Sequence, residues 1–115
     1  MTSDKFKKRT KAFALRVIRL VDSLPSSRMA RAIGGQLLRA GTSVGANYRA
    51  ACRARSTADF AAKMGIVEEE CDESAYWMEL LIEAGIMKQS RIASLLKEAD
   101  EILSMVVSSI KTSRR

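Results

Sequence analysis

A chain of 115 residues with 20 Lys+Arg, 13 Asp+Glu and no His carries a formal charge of +7; it is long enough to bury one core and too short for two. Although 47% of it is apolar, only six residues are Phe, Trp or Tyr, so the core is aliphatic, which favours packed helices over a sheet. No apolar run reaches the ~20 residues of a bilayer crossing, and MTSDKFKKRTKAF at the start is basic without the apolar segment of a secretory signal.

The first helix is expected over residues 4–23, with Ser3 as its N-cap. Phe6, Phe13, Val17, Leu20 and Leu24 recur at helical spacing and share one face. At about 100° per residue, Lys5, Arg9, Arg16 and Arg19 form a separate strip. Leu24-Pro25-Ser26-Ser27 then stops the helix, because Pro cannot continue it, and Ser26 or Ser27 caps the next.

The second helix is expected over residues 28–53. Ile33, Leu37, Ala40, Val44 and Ala51 form its core stripe, while Arg28, Arg31, Arg39, Arg49 and Arg53 occupy an arc of about 80° on another side. Gly41 and Gly45 each cost about 1 kcal/mol against Ala in a helix interior. Close approach of another helix offsets that cost; the alternatives are a kink or a tolerated breaker. The close partner is either a helix of the same chain or one of a second subunit, and the width of the apolar surface favours the second subunit.

Ser56-Thr57-Ala58-Asp59 resembles a capping box and opens a third helix over residues 57–84. There Phe60, Met64, Val67, Cys71, Ser74, Met78 and Leu81 alternate in steps of four and three. Gly85 suits a left-handed C-terminal cap. The fourth helix, residues 89–112, carries Ile92, Leu95, Ala99, Ile102, Val106 and Ile110. Four long helices on short turns imply a single all-α domain over residues 1–115, an antiparallel up-down-up-down four-helix bundle.

Charge is segregated along the chain. Ser23 to Ala58 holds six arginines and no acid, whereas Asp59 to Glu83 holds eight acids and one base, Lys63. Arg39, Ser43 and Asn47 drift from the basic arc toward the core, and Glu70 and Glu73 share a strip with Ile66, Trp77 and Leu81. A carboxylate removed from water needs a cation or several donors, so Glu70 and Glu73 are expected to pair with Arg39, Asn47 or Arg49. Arg39, Ser43, Asn47, Glu70 and Glu73 are therefore read as a structural polar network that fixes register.

A catalytic or metal reading of that cluster is disfavoured. Carboxylate metal sites in bundles draw Glu and Glu-xx-His from several helices, and no His is present. Ser and Cys likewise lack an adjacent imidazole base. The expectation is a protein that is not an enzyme, with no cofactor and no metal. Cys52 and Cys71 have neither metal-ligand spacing nor scaffold density, so buried free thiols and a cytoplasmic setting are expected.

The run Gln36 to Leu81 resembles the signature of the bacterial four-helix-bundle proteins of the 23S rRNA intervening-sequence type. Those proteins are similar to the accessory variability protein of diversity-generating retroelements. Gln36, Leu37, Leu38, Arg39, Ser43, Val44, Asn47, Arg49, Ser56, Phe60, Lys63, Glu70, Glu73, Trp77 and Leu81 carry the resemblance. Ala50 stands where an acid commonly follows the Asn-x-Arg unit, and Glu68-Glu69-Glu70 is unbroken by bases. The resemblance implies a left-handed bundle that assembles into a ring-like homopentamer. It also implies nucleic acid, RNA or DNA, and a protein such as a reverse transcriptase as partners, with no catalysis by the bundle itself.

Two functions follow as expectations. One is a nucleic-acid-binding accessory protein whose phosphate contacts come from Lys5, Arg9, Arg16, Arg19, Arg28, Arg31, Arg49 and Arg53, without base readout. The other is a scaffolding oligomer in which the basic second helix of one subunit faces the acidic third helix of the next. Membrane association is disfavoured because Phe6, Phe13 and Leu20 are needed in the core.

Overall fold

The computed structural model describes residues 2–114. Among them there are four helices and no strand: α1 (Ser3–Asp22), α2 (Arg28–Ala51), α3 (Thr57–Glu83) and α4 (Gln89–Ser113). Each helix packs on its neighbours in sequence, α4 closes back onto α1, and the diagonal pairs α1/α3 and α2/α4 do not meet. With turns of a few residues between consecutive helices, that pattern is an up-down-up-down bundle, a rod of 46 × 21 × 20 Å.

Side-chain caps start three of the helices. Thr2, not Ser3, caps α1: its hydroxyl accepts from the Lys5 amide at 3.2 Å, and Ser3 is already helical. Ser27 caps α2 by accepting from the Ala30 amide at 3.1 Å. Ser56 accepts from the Asp59 amide at 3.0 Å, but Asp59 reaches past Ser56 to the Arg55 amide, also at 3.0 Å. The box is thus one residue wider than the ordinary motif. Asp59 is held below the usual carboxylate range by Lys63 first and then by the Arg55 amide.

Helix α3 ends in a left-handed cap. Gly85 has φ +71°, and the Gly85 and Ile86 amides donate to the Ile82 and Leu81 carbonyls at 3.0 Å each, the paired pattern of a Schellman motif. The second helix stops at Ala51, short of the expected Arg53, where the Arg53 and Ala54 amides turn to the Ala50 and Ala51 carbonyls.

The core is aliphatic, as the composition requires. Phe13, Leu37, Met64, Met78, Leu81, Ile92 and Ile102 are wholly buried, each contributing roughly 1.5–3 kcal/mol by burial. Phe6 meets Tyr48 edge to face with ring centroids 4.6 Å apart. Thr10 lies buried in the same face, and its hydroxyl donates to the Phe6 and Lys7 carbonyls at 3.0 and 3.1 Å. Ser74, also buried, donates to the Glu70 carbonyl at 2.8 Å. Cys71 donates its thiol to the Ala99 carbonyl at 3.2 Å, and burial pushes its pKa up to about 12. Cys52 departs from expectation in being only half-buried.

Gly41 and Gly45 of α2 find a close partner inside the chain, in α1. A Cβ on Gly41 would lie 2.8 Å from both methyls of Val17, and one on Gly45 would lie 3.2 Å from the Thr10 hydroxyl oxygen. Helix α2 runs unbroken through both positions. The glycines therefore let α1 and α2 touch nearly backbone to backbone. They do not kink the helix, and the helix they admit is α1.

Candidate nucleic-acid interface

The predicted polar residues separate into three groups once the helices are placed. The first is the α2–α3 seam. Arg39 reaches across it, donating from Nη1 to Glu70 at 2.9 Å and from Nη2 to Glu73. Trp77 Nε1 donates to the other Glu73 oxygen at 3.3 Å. Arg39 first, then Trp77, holds the Glu73 carboxyl below its usual range against the opposing effect of burial. Asn47 and Arg49 do not join. Asn47 donates to the Ser43 carbonyl at 2.8 Å and Ser43 to the Arg39 carbonyl at 2.7 Å, both within α2. The seam is also wetter than expected, with side-chain exposures of 48% for Arg39, 35% for Glu73 and 18% for Glu70. At that exposure the ion pairs align the helices more than they stabilise them.

The second group is the α1 strip, which turns toward α4. Arg9 forms a fork with Glu98, Nε and Nη2 each donating at 2.8 Å, and lies 3.6 Å from Glu101. Glu98 is the main reason the Arg9 guanidinium holds its proton more tightly than usual. Arg16 donates to the Ser94 hydroxyl at 2.9 Å. Bidentate pairing of this kind fixes a guanidinium in place, so Arg9 closes the bundle and is not a free phosphate ligand. Lys5 and Arg19 remain exposed beside it.

The third group is free. Arg28, Arg31, Arg49 and Arg53 are exposed, and among the described residues none of them forms an ion pair. Arg53 donates only to the Arg49 carbonyl, at 3.4 Å. Where α2 passes α1, Arg49 meets cations outside the Lys5, Arg9, Arg16 and Arg19 strip. Lys7, Lys8 and Lys11 line one wall of a groove of about 400 Å³, Arg49 lines the other, and no acid lines it. The signal was present in the run KFKKRTK. Its lysines at 7 and 11 lie one turn apart on the α1 side facing α2, whereas Arg9 and Arg16 reach to α4.

Acids gather on the opposite side. Glu69, Asp72, Glu79 and Glu83 of α3 and Asp100 of α4 are exposed, on the two helices across from the α1–α2 groove. The acidic excess is that of α3, because α4 balances Arg91, Lys97 and Lys111 against Glu98, Asp100 and Glu101, while α1 and α2 are net basic despite Asp4 and Asp22. Among the described residues no helix is long and apolar enough to cross a membrane.

The family described as 23S rRNA-intervening sequence protein matches residues 3–108, which takes in all of α1 to α3 and most of α4. A crystal structure of a protein with unknown function from the S23 ribosomal protein family, from Bacteroides thetaiotaomicron, is 36% identical to it. The similarity covers 92% of this chain and 98% of that one, with a TM-score of 0.86. No curated protein matches the chain.

Proposed function

Since the chain belongs to the 23S rRNA-intervening sequence protein family, we propose that it is a non-enzymatic accessory protein that associates with RNA through its basic α1–α2 flank. The observation that carries this reading is the set of unpaired cations on that flank, with the acidic excess confined to α3. Cations without protein partners are available to phosphate oxygens, and their contacts are independent of base sequence. Assembly into a ring-like homo-oligomer multiplies the flank, so individually weak contacts add by avidity. The kinship with the retroelement accessory protein, and with it a reverse transcriptase as partner, belongs to the same reading. So does a reducing, cytoplasmic setting, which suits two free thiols.

Titration of labelled RNA at about 50 and about 200 mM salt tests the proposal. Affinity falls steeply between the two, whatever the RNA sequence. An absence of binding at both concentrations removes the reading.

A scaffolding oligomer is the second reading, and one specific observation favours it: Leu15 and Ile18 of α1 and Leu38 of α2 are exposed on the helices that carry the basic flank. Apolar side chains among cations, meeting the acidic α3 of another copy, give a head-to-tail contact. Sedimentation through a salt series separates the two functions, because such an assembly loosens with salt even when no RNA is present.

A further inference from the structure

We infer that the α1–α2 groove is where the RNA sits, and that its occupant is the sugar–phosphate ridge of a double helix. This rests on the reading that the protein binds RNA, and it names the site and the form of RNA bound. Lys7, Lys8 and Lys11 stand on one wall and Arg49 on the other. None of the four has an acidic partner among the described residues. Such convergent, uncompensated charge in a concave surface focuses a positive field on whatever enters.

The floor is shallow for a steric reason. Gly45, pressed against Thr10, brings the two helices together, and Ala14 and Ala46 add only methyl groups above that contact. A phosphodiester ridge therefore reaches the cations without meeting a bulky side chain.

Aromatic residues decide between strand and duplex. Proteins that hold single strands stack the bases on aromatic rings, and no aromatic residue lines this groove. The exposed Tyr76 belongs to α3, which does not touch α1. A duplex keeps its bases stacked internally and offers phosphates alone. Thr42 adds a preference for ribose. It lines the groove, and its hydroxyl hydrogen is already donated to the Leu38 carbonyl at 2.7 Å. The oxygen is left as an acceptor, which a 2′-hydroxyl satisfies and deoxyribose does not.

Fluorescence anisotropy with a labelled RNA duplex of about 20 base pairs, and with one of its strands alone, tests the inference. Three variants are compared with the wild type: Lys7→Gln/Lys11→Gln, Ala46→Glu, and Lys97→Gln/Lys111→Gln on an exposed strip of α4. Ala46→Glu removes no groove cation and places a carboxylate among them. Circular dichroism verifies that each variant stays helical. The first two lose about tenfold or more in duplex affinity, and the double lysine variant lowers the salt slope by about 2. The strip variant stays within about twofold of wild type. Wild-type preference for the single strand, unchanged binding by both groove variants, or an equal loss in the strip variant overturns the inference while leaving RNA binding intact. A wild type that binds neither RNA at about 50 mM salt defeats the broader reading instead.

Discussion

Helix α2 is held on its two flanks by opposite means. Toward α1 it offers Gly41 and Gly45, and the contact is dry, close and steric. Toward α3 it offers Arg39, which meets Glu70 and Glu73 through half-exposed ion pairs. The first seam fixes how near the helices come, and the second fixes how they are aligned along their length. A contact set by shape responds to volume and ignores solution conditions, whereas a contact set by charge tolerates volume and responds to pH and salt.

That contrast breaks most visibly at Gly41. In Gly41→Ala the added methyl must displace Val17, a β-branched residue with no exposed surface. Overpacking of this kind costs about 1–3 kcal/mol, which outweighs the gain of up to about 1 kcal/mol in helix propensity. Urea titration will give a lower midpoint with an unchanged slope. Gly35→Ala sharpens the same point with the opposite sign. Nothing lies within 4 Å of the new Cβ, so the substitution raises stability by about 0.5–1 kcal/mol in the same titration.

The smallest effect belongs to the charged seam. The Glu73 carboxyl is held below its usual range in the folded protein by Arg39. Its contribution is therefore complete above the unfolded pKa and is lost as pH falls through the folded one. Melting temperature will drop on acidification from about pH 5 to about pH 3 by more in the wild type than in Glu73→Gln. At about 1 M salt and neutral pH the two proteins will melt closer together. A Glu73→Gln variant as acid-sensitive as the wild type would show that Arg39 contributes nothing through this carboxylate.

The four helices were legible because their signals are local. Apolar spacing marks the faces, Pro25 and Gly85 mark the ends, and Ser27 and Ser56 mark two starts. The Arg39 contact to Glu70 and Glu73 was legible for a related reason: consecutive helices in an up-down bundle are neighbours. What escaped was the fate of cations whose partners are remote in sequence. Arg9 and Glu98 lie 89 positions apart, and a helical wheel of α1 alone cannot distinguish a strip facing α4 from one facing water. The lysines of the α1–α2 groove escaped for the converse reason, because their side of α1 is defined only by where the glycines of α2 bring the two helices together. The same contact makes α1 the close partner of Gly41 and Gly45, where the width of the apolar surface favoured a second subunit.

The two thiols give the bundle its own reporter of opening. Cys52 is half-buried near the end of α2, within reach of a small alkylating reagent in the native state. Cys71 is sealed in the interior, bonded to the Ala99 carbonyl and raised to about 12, so it is protonated as well as inaccessible. A second alkylation event per chain, read by mass, therefore times the moment at which α3 and α4 part, with no dye or tag attached.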